Sequence, residues 1–240
     1  MTTTKKQIKL VHISDTHDKL KYLIEQNKIP DGDILCHTGD FSNQGGKDSI
    51  ENFNYLLGKL PHKHKIIIFG NHDYYQNLQP VQIQMILTNG IYLQDSSVVI
   101  EGLKFYGSPW IQPGMSYGSN NLKKIWDFIP NDTGLIISML KKLIFFQDVL
   151  MTHLPPFNVL DLAWDLSQTS KDICVHCKEE HVKFRHWGCP DLYNKVINDV
   201  KPKLHLFGHV HDEVGIKKID KTYFCNSAMD IEQKPHVFTF

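Results

Sequence analysis

Two pairs of side chains, each separated by one residue, mark the ends of the chemistry in this chain: Asp15 and His17 in "SDTHD", and His209 and His211 in "GHVH". If extended backbone persists past a strand end, residues i and i+2 point to one side, so each pair can hold one metal ion or two adjacent ions from a single face. Gly39 before Asp40 and Gly208 before His209 would let the backbone come close to such ions, where a side chain would intrude. Asp40 is the bridging candidate, since a carboxylate has two oxygens to offer and an imidazole gives one nitrogen at a time. Asn71, in "GNHD", brings a neutral amide oxygen that completes a coordination shell without adding charge, and His153, in "TH", brings another imidazole. Two Asp, one Asn and four His are enough for a two-metal site with positions left open for water and substrate. His72 is then not needed as a ligand. With Asp73 beside it to hold its tautomer, it suits a general acid over a leaving group.

These residues follow short apolar runs rich in β-branched residues. "IKLVHI" leads into Asp15, "DILCH" into Asp40, "KIIIF" into Asn71, "DVLM" into His153 and "KLHLF" into His209. Each run reads as a strand, and binding groups in α/β sheets gather where the carboxyl ends of strands open onto a shared crevice. "KDSIENFNYLLGKL" and "DLYNKVINDV" space their apolar residues by three and four, as amphipathic helices do. "SVVIEGLKFYGS" reads as a hairpin turning at Glu101 and Gly102, and "VGIKKIDKTYFCNS" as another turning near Asp220. Helices alternate with strands early and hairpins accumulate late, which predicts an α/β architecture of two packed sheets flanked by helices. With no internal repeat and no long linker, residues 1–240 are expected to form a single domain.

Composition narrows the partners. Lys plus Arg and Asp plus Glu both number 26, so no overall charge draws the chain toward nucleic acid or an anionic membrane. Arg185 is the sole arginine, which leaves few means for bidentate guanidinium clamps on phosphate. Five cysteines form an odd, sparse set that argues against a disulfide framework and for a reducing compartment. The opening "MTTTKKQIKLVHISD" reaches polar and charged residues too early for a signal peptide, and Lys141 and Lys142 interrupt the most apolar later segment. The expectation is a cytoplasmic protein without a membrane span.

The ordered words "DTH", "GD", "GNHD", "TH" and "GHVH", spanning residues 15 to 211, resemble the calcineurin-like metallophosphoesterases. The further words "HTGDFS", "GSPW", "PPF", "WGCPDL", "PKLHLFGHVH" and "FCNSA" are similar to its small metallophosphoesterase-domain subfamily of animal brain and bacteria. The resemblance implies a four-layer αββα sandwich, two mixed sheets flanked by helices, around a dinuclear centre. It implies one metal on Asp15, His17, Asp40 and His211 and the other on Asp40, Asn71, His153 and His209. His72 would be catalytic, with Asp73 as its orienting partner. The implied reaction is hydrolysis of a small phosphate ester, preferably a diester such as a cyclic nucleotide, by metal-bound hydroxide. Two divalent transition-metal ions are implied, Mn²⁺ first, with Fe, Zn²⁺ or Co²⁺ compatible with the same donors.

Other readings compete. A protein serine/threonine phosphatase would carry arginines in its "GD" and "GNH" words, and this chain has none there. A nuclease would be expected to show a basic excess. A phosphomonoesterase on the same site and a catalytically weak scaffold are the remaining alternatives. In "CVHCKEEHVKFRHWGC", Cys174, Cys177, His181, His186 and Cys189 could form a structural zinc site, but after the first pair the spacing matches no standard finger, and reduced cysteines in a loop are the expectation. Histidines 12, 37, 62, 64, 176, 205 and 236 receive no role, and Trp110 reads as core. The added apolar stretch "GLIISMLKKLIFFQ", residues 134–147, is a candidate for an extra helix or a self-association patch. Leu154 stands where the family usually has glycine after the ligand histidine, a change that could narrow the pocket. Substrate selection falls to loops around 108–122 and 154–190.

Overall fold

The computed structural model describes residues 7–73, 78–110, 147–166, 171, 173–231 and 234–240. In β1 (Lys9–Ile13), β2 (Ile34–Thr38) and β3 (His64–Ile68), nearly every residue past the first is buried, as expected for strands covered on both faces. These three run parallel, with β4 (Ile91–Tyr92) beside β3 and β13 (His236–Thr239) antiparallel to β1, giving the order β13-β1-β2-β3-β4. The second sheet contains β5 (Ser96–Ile100), β6 (Leu103–Ser108), β7 (Val149–Thr152), β10 (Leu204–Phe207), β11 (Gly215–Ile219) and β12 (Thr222–Asn226), in the order β11-β12-β10-β7-β6-β5. Its two antiparallel edge pairs, β5/β6 and β11/β12, are the hairpins that turn at Glu101 and Gly102 and at Asp220. A small ribbon of β8 (Leu162–Trp164) and β9 (Phe184–His186) stands apart.

The period-two alternation of each strand divides the core. Leu10, Ile34, Cys36, Ile66 and Ile68 face Val149, Met151, Leu204, Leu206 and Phe105 between the two sheets. Val11, Ile13, Leu35 and Ile67 point the other way, against α1 (Leu20–Glu25), α2 (Lys47–Leu57) and α3 (Pro80–Ile86). Leu150 and Phe207 face a third cluster with Leu192, Val196 and Val200 on α4 (Pro190–Lys195) and the π-helical turn Val196–Val200 that continues it. The layers therefore run helix, sheet, sheet, helix, the αββα sandwich expected from the sequence. Phe105 is fully buried between the sheets, and its truncation to alanine would cost about 3–5 kcal/mol.

Among the described residues no helix is long and apolar enough to cross a membrane. Of the 134–147 stretch, only Gln147 lies among the described residues. Trp110 donates to Asp95 at 3.0 Å and packs on the third cluster, in keeping with the core reading. Leu154 is 2% exposed and packs in that same cluster.

Candidate metal centre

β1, β2, β3, β7 and β10 all end on one edge of the sandwich, and each releases one to three of the candidate side chains there. The convergence is not achieved by the persistent extended backbone that the Asp15/His17 and His209/His211 spacings suggested. Asp15, His17, Asp40 and His209 have φ of 51°, 41°, 54° and 69°. Left-handed backbone is uncommon outside glycine, is tolerated best by Asp, Asn and His, and persists where the surroundings enforce it, as functional sites often do. β1, β2 and β10 thus turn sharply just past their ends. Gly208 is needed for that turn: a Cβ there would come within 2.0 Å of Asp15 Oδ2. Gly39, at φ +100°, would place one 2.6 Å from the Gly70 nitrogen.

Asp15 and Asp40 are buried, and their side chains anchor neighbouring backbone. His209 donates its N–H to both Asp15 oxygens, at 3.1 and 3.0 Å, and His72 donates its N–H to Asp40 Oδ1 at 2.7 Å. Around Asp15, His211 Nε2 lies 3.1 Å from Oδ1 and 3.4 Å from His17 Nε2. Around Asp40, His153 Nε2 lies 3.3 Å from Oδ2 and 2.9 Å from Asn71 Oδ1, while His153 Nδ1 bonds the Thr38 carbonyl at 2.8 Å. Two groups with donor atoms within 4.8 Å of one another result: Asp15, His17 and His211, and Asp40, His153 and His209. The seven residues proposed as ligands from the sequence are thus brought together.

Electrostatics show what these groups lack. Burial opposes charge on Asp15, yet the His211 hydrogen bond and the neighbouring histidines hold its carboxyl well below the usual range. Burial likewise opposes Asp40, but the charge and hydrogen bond of His153 bring it down to about 2. The partners move upward: against burial, Asp40 raises His153 to about 9, and the bonds to Asp15 and Asp230 raise His211 to about 10. Protons on two imidazoles thus sit where buried carboxylates demand positive charge. His209 differs, because burial lowers it to about 3 and its buried Nε2 has no hydrogen-bond partner. An unpartnered imidazole nitrogen among clustered carboxylates fits a divalent cation, and the all-N/O donor set suits Mn²⁺, Fe, Zn²⁺ or Co²⁺.

His72 lies beside the groups rather than within them, its ring 5.0 Å from that of His17 in an edge contact. Its Nδ1 bonds the Asn43 carbonyl at 2.8 Å, the position that the sequence reading gave to Asp73. The Asp73 carboxylate instead accepts from Ser42 N at 2.9 Å, Ser42 Oγ at 3.0 Å and Gly70 N at 2.9 Å. It braces the loop that carries Asn71 and His72. Burial, and then the charge of Asp40, push Asp73 up to about 8; a cation bound beside Asp40 would oppose that push.

Three histidines given no role in the sequence position the strand ends. His12 Nε2 lies 2.9 Å from Thr38 Oγ1, His37 Nε2 3.0 Å from Thr16 Oγ1, and His205 Nε2 2.9 Å from Thr152 Oγ1. Each ties a buried strand to a threonine within two residues of a candidate ligand. Burial pushes His37 and His205 to about 3, so they serve as neutral hydrogen-bonding groups. Asp230 was also missed: its Oδ2 lies 3.4 Å from His211 Nδ1, and its other oxygen accepts from Lys19. Asn226 donates to the Val210 carbonyl at 2.7 Å and to Glu213 O at 3.1 Å, which fixes the loop of His209 and His211. The only sequence signal for these residues was the word "FCNSA" and a histidine inside an apolar run.

A two-sheet αββα sandwich with histidine and carboxylate groups at its strand ends defines a metal-dependent phosphoesterase. The chain belongs to the calcineurin-like phosphoesterase family, whose family model matches residues 8–213. It is 37% identical over 243 residues to a UPF0046 protein of Caenorhabditis elegans, covering 93% of this chain and 75% of that one. To Metallophosphoesterase domain-containing protein 1 of Homo sapiens it is 32% identical over 249 residues, covering 92% of this chain and 66% of that one. One crystal structure, 14% identical, superposes with a TM-score of 0.58 over 98% of this chain and 95% of the other, a likeness of fold.

Proposed function

We propose that the chain is a dinuclear phosphodiesterase acting on small phosphodiesters, with cyclic nucleotides as one candidate class. The observation that carries the two-metal reading is the pair of donor groups, Asp15/His17/His211 and Asp40/His153/His209, with Asn71 against His153 of the second. In this reading Asp15, His17, Asp40 and His211 hold one cation and Asp40, Asn71, His153 and His209 the other, with Asp40 shared. Two such cations, Mn²⁺ preferred, would supply Lewis acidity toward the phosphoryl oxygens and activate a water.

The chain's own residues then do the rest. His72 stands outside both donor groups, its Nδ1 held by Asn43 O, and its Nε2 is the atom that would protonate the departing oxygen. Asp73 and Ser42 keep His72 in place by bracing its loop. Trp187 lies against His209, ring to ring at 5.7 Å, and walls the centre on that side. The diester preference is supported by the cations available. No arginine occurs in the site segments, and Lys19 is paired with Asp230, the carboxylate that also faces His211. A dianionic monoester usually needs such cations to hold its extra charge.

Comparison of kcat/KM for a 2′,3′-cyclic nucleotide with that for the matching 3′-monophosphate, at one pH and one Mn²⁺ concentration, tests the reading. A ratio above one is expected. A ratio favouring the monophosphate would leave a phosphomonoesterase on the same fold.

A further inference from the structure

The ribbon β8/β9 and the described residues between its strands hold a second cluster, which includes His186, the residue before Trp187. Cys174, Cys177, His181 and His186 each present a donor atom there, and all four lie within 4.8 Å of one another. We propose that these four residues bind one structural Zn²⁺ ion, which fixes the segment that carries Trp187 against the metal centre.

The backbone is already shaped for a thiolate pair. Lys178 N donates to Cys174 O at 3.0 Å, Cys174 N donates to Glu179 O at 2.9 Å, and Lys178 takes φ of 65°. This is a tight turn that points both sulfurs to one side. The histidines are prepared in a complementary way. His181 Nδ1 bonds Phe184 O at 3.1 Å, and His186 Nδ1 bonds Asp161 Oδ1 at 2.8 Å. Each ring is thereby oriented with its Nε2 left over, and both Nε2 atoms are buried without a hydrogen-bond partner. The His186 arrangement is the carboxylate–histidine pair that usually stands behind a zinc ligand. Asp161 is itself held, since its Oδ2 accepts from Asn158 N and Gly188 N, both at 3.0 Å.

Two sulfurs and two imidazole nitrogens are a tetrahedral zinc set. At Zn–N of about 2.0 Å and Zn–S of about 2.3 Å, donor atoms stand about 3.3–3.8 Å apart, a modest contraction of the present envelope. Cys189, the fifth candidate from the sequence, is excluded by position: it is buried at the start of α4, where its Sγ accepts from Leu192 N.

The segment has little else to order it. β8 and β9 are three residues each, and an isolated two-stranded ribbon is marginal at best in water. Ile173 and Val175, beside Cys174, are 67% and 72% exposed, so these two apolar side chains do little to hold the segment. Metal ligation supplies the ordering that such a segment lacks. Its effect reaches the centre through short links. Trp187 follows His186 directly and donates its N–H to Asp161 O at 2.9 Å, and Leu162 N and Trp164 N bond Glu213 and Asp212, just after His211.

The test uses the full chain, loaded with Zn²⁺ and then treated with an organomercurial that titrates thiols. One equivalent of zinc should be released as Cys174 and Cys177 react. That equivalent should be missing from Cys174→Ser/Cys177→Ser and retained by Asp40→Asn and by the neighbouring variant His176→Ala. Co²⁺ loaded into the wild-type chain should show thiolate-to-cobalt charge-transfer absorption in the near ultraviolet, which decides the matter even if the double variant is insoluble. Unchanged zinc content in the double variant, no charge-transfer band, or a Cys174–Cys177 disulfide in freshly purified protein would each overturn the proposal.

Discussion

The backbone N–H of His72 bonds Asp40 Oδ1 at 2.7 Å, so the residue proposed as the acid is tethered to the carboxylate proposed as the bridge. The two should therefore fail differently on removal. Asp40→Ala takes away the shared charge and the tether, and is expected to lose bound Mn²⁺ together with activity. His72→Ala leaves that N–H in place, so it should retain the metal while kcat falls by roughly 10²–10⁴. Elemental analysis beside kinetics separates them. Loss of metal from His72→Ala would show that His72 is a ligand.

The metal-free protein should be most stable near pH 6.5, the ordinary histidine value. His37, His205 and His209 are lowered to about 3 by burial, so below pH 6.5 the unfolded chain gains protons that the folded chain refuses, and stability falls with pH. His153 and His211, raised to about 9 and about 10, contribute stability that is fully present below about 6.5 and is lost as pH rises through those folded values. Asp73, raised to about 8, adds to the alkaline loss and offsets part of the acid one. Melting temperatures of the chelated protein from pH 4.5 to 9.5 should form a peak. A rise continuing past pH 8 would contradict these assignments.

Thr152 joins β7 to β10 through its hydroxyl, 2.9 Å from His205 Nε2 and 2.7 Å from Leu154 O. Thr152→Val keeps the shape and removes both bonds in a fully buried setting. The expected loss is about 1–3 kcal/mol, because a buried polar atom is left unpaired. Thr152→Ser should recover most of it. Urea denaturation of the two variants is the measurement, and equal losses would assign the effect to packing.

The strands, the hairpin turns and the candidate ligands were legible in the sequence because each leaves a local mark. Ile66, Ile67 and Ile68 in succession announce a strand covered on both faces, and Asp15 or His209 after such a run stands out by type. What was not legible depended on contacts distant in sequence. His12 meets Thr38 across 26 positions, and Asp230 meets His211 from a strand end that no metal word marks. The left-handed turns at Asp15, His17, Asp40 and His209 were hidden for another reason: these residue types tolerate positive φ without requiring it, as glycine often signals. The Cys174 cluster fell between the two cases. Its cysteine spacing was visible, but the pairing of His186 with Asp161 across 25 positions, which aims the ring, appears only in the fold.

Asp230 supports the last prediction. Its carboxylate faces His211 Nδ1 at 3.4 Å, and that contact, with the Asp15 bond, keeps His211 protonated in the metal-free protein. Replacing Asp230 with asparagine should therefore act in two opposed ways. A less basic, less firmly oriented His211 binds a cation more weakly, and loss of an outer partner of this kind costs about 10–100-fold in affinity. The same change weakens the proton that the cation must displace from Nε2, which favours metal binding wherever His211 is still protonated. Below the raised His211 value the two effects partly cancel, and the cancellation fades as pH rises toward about 10. The affinity deficit of Asp230→Asn for Mn²⁺, measured by chelator competition, should thus be small at pH 6.5 and larger at pH 8.5. An equal deficit at both would mean that Asp230 orients His211 without governing its proton, and no deficit at either would remove it from the site.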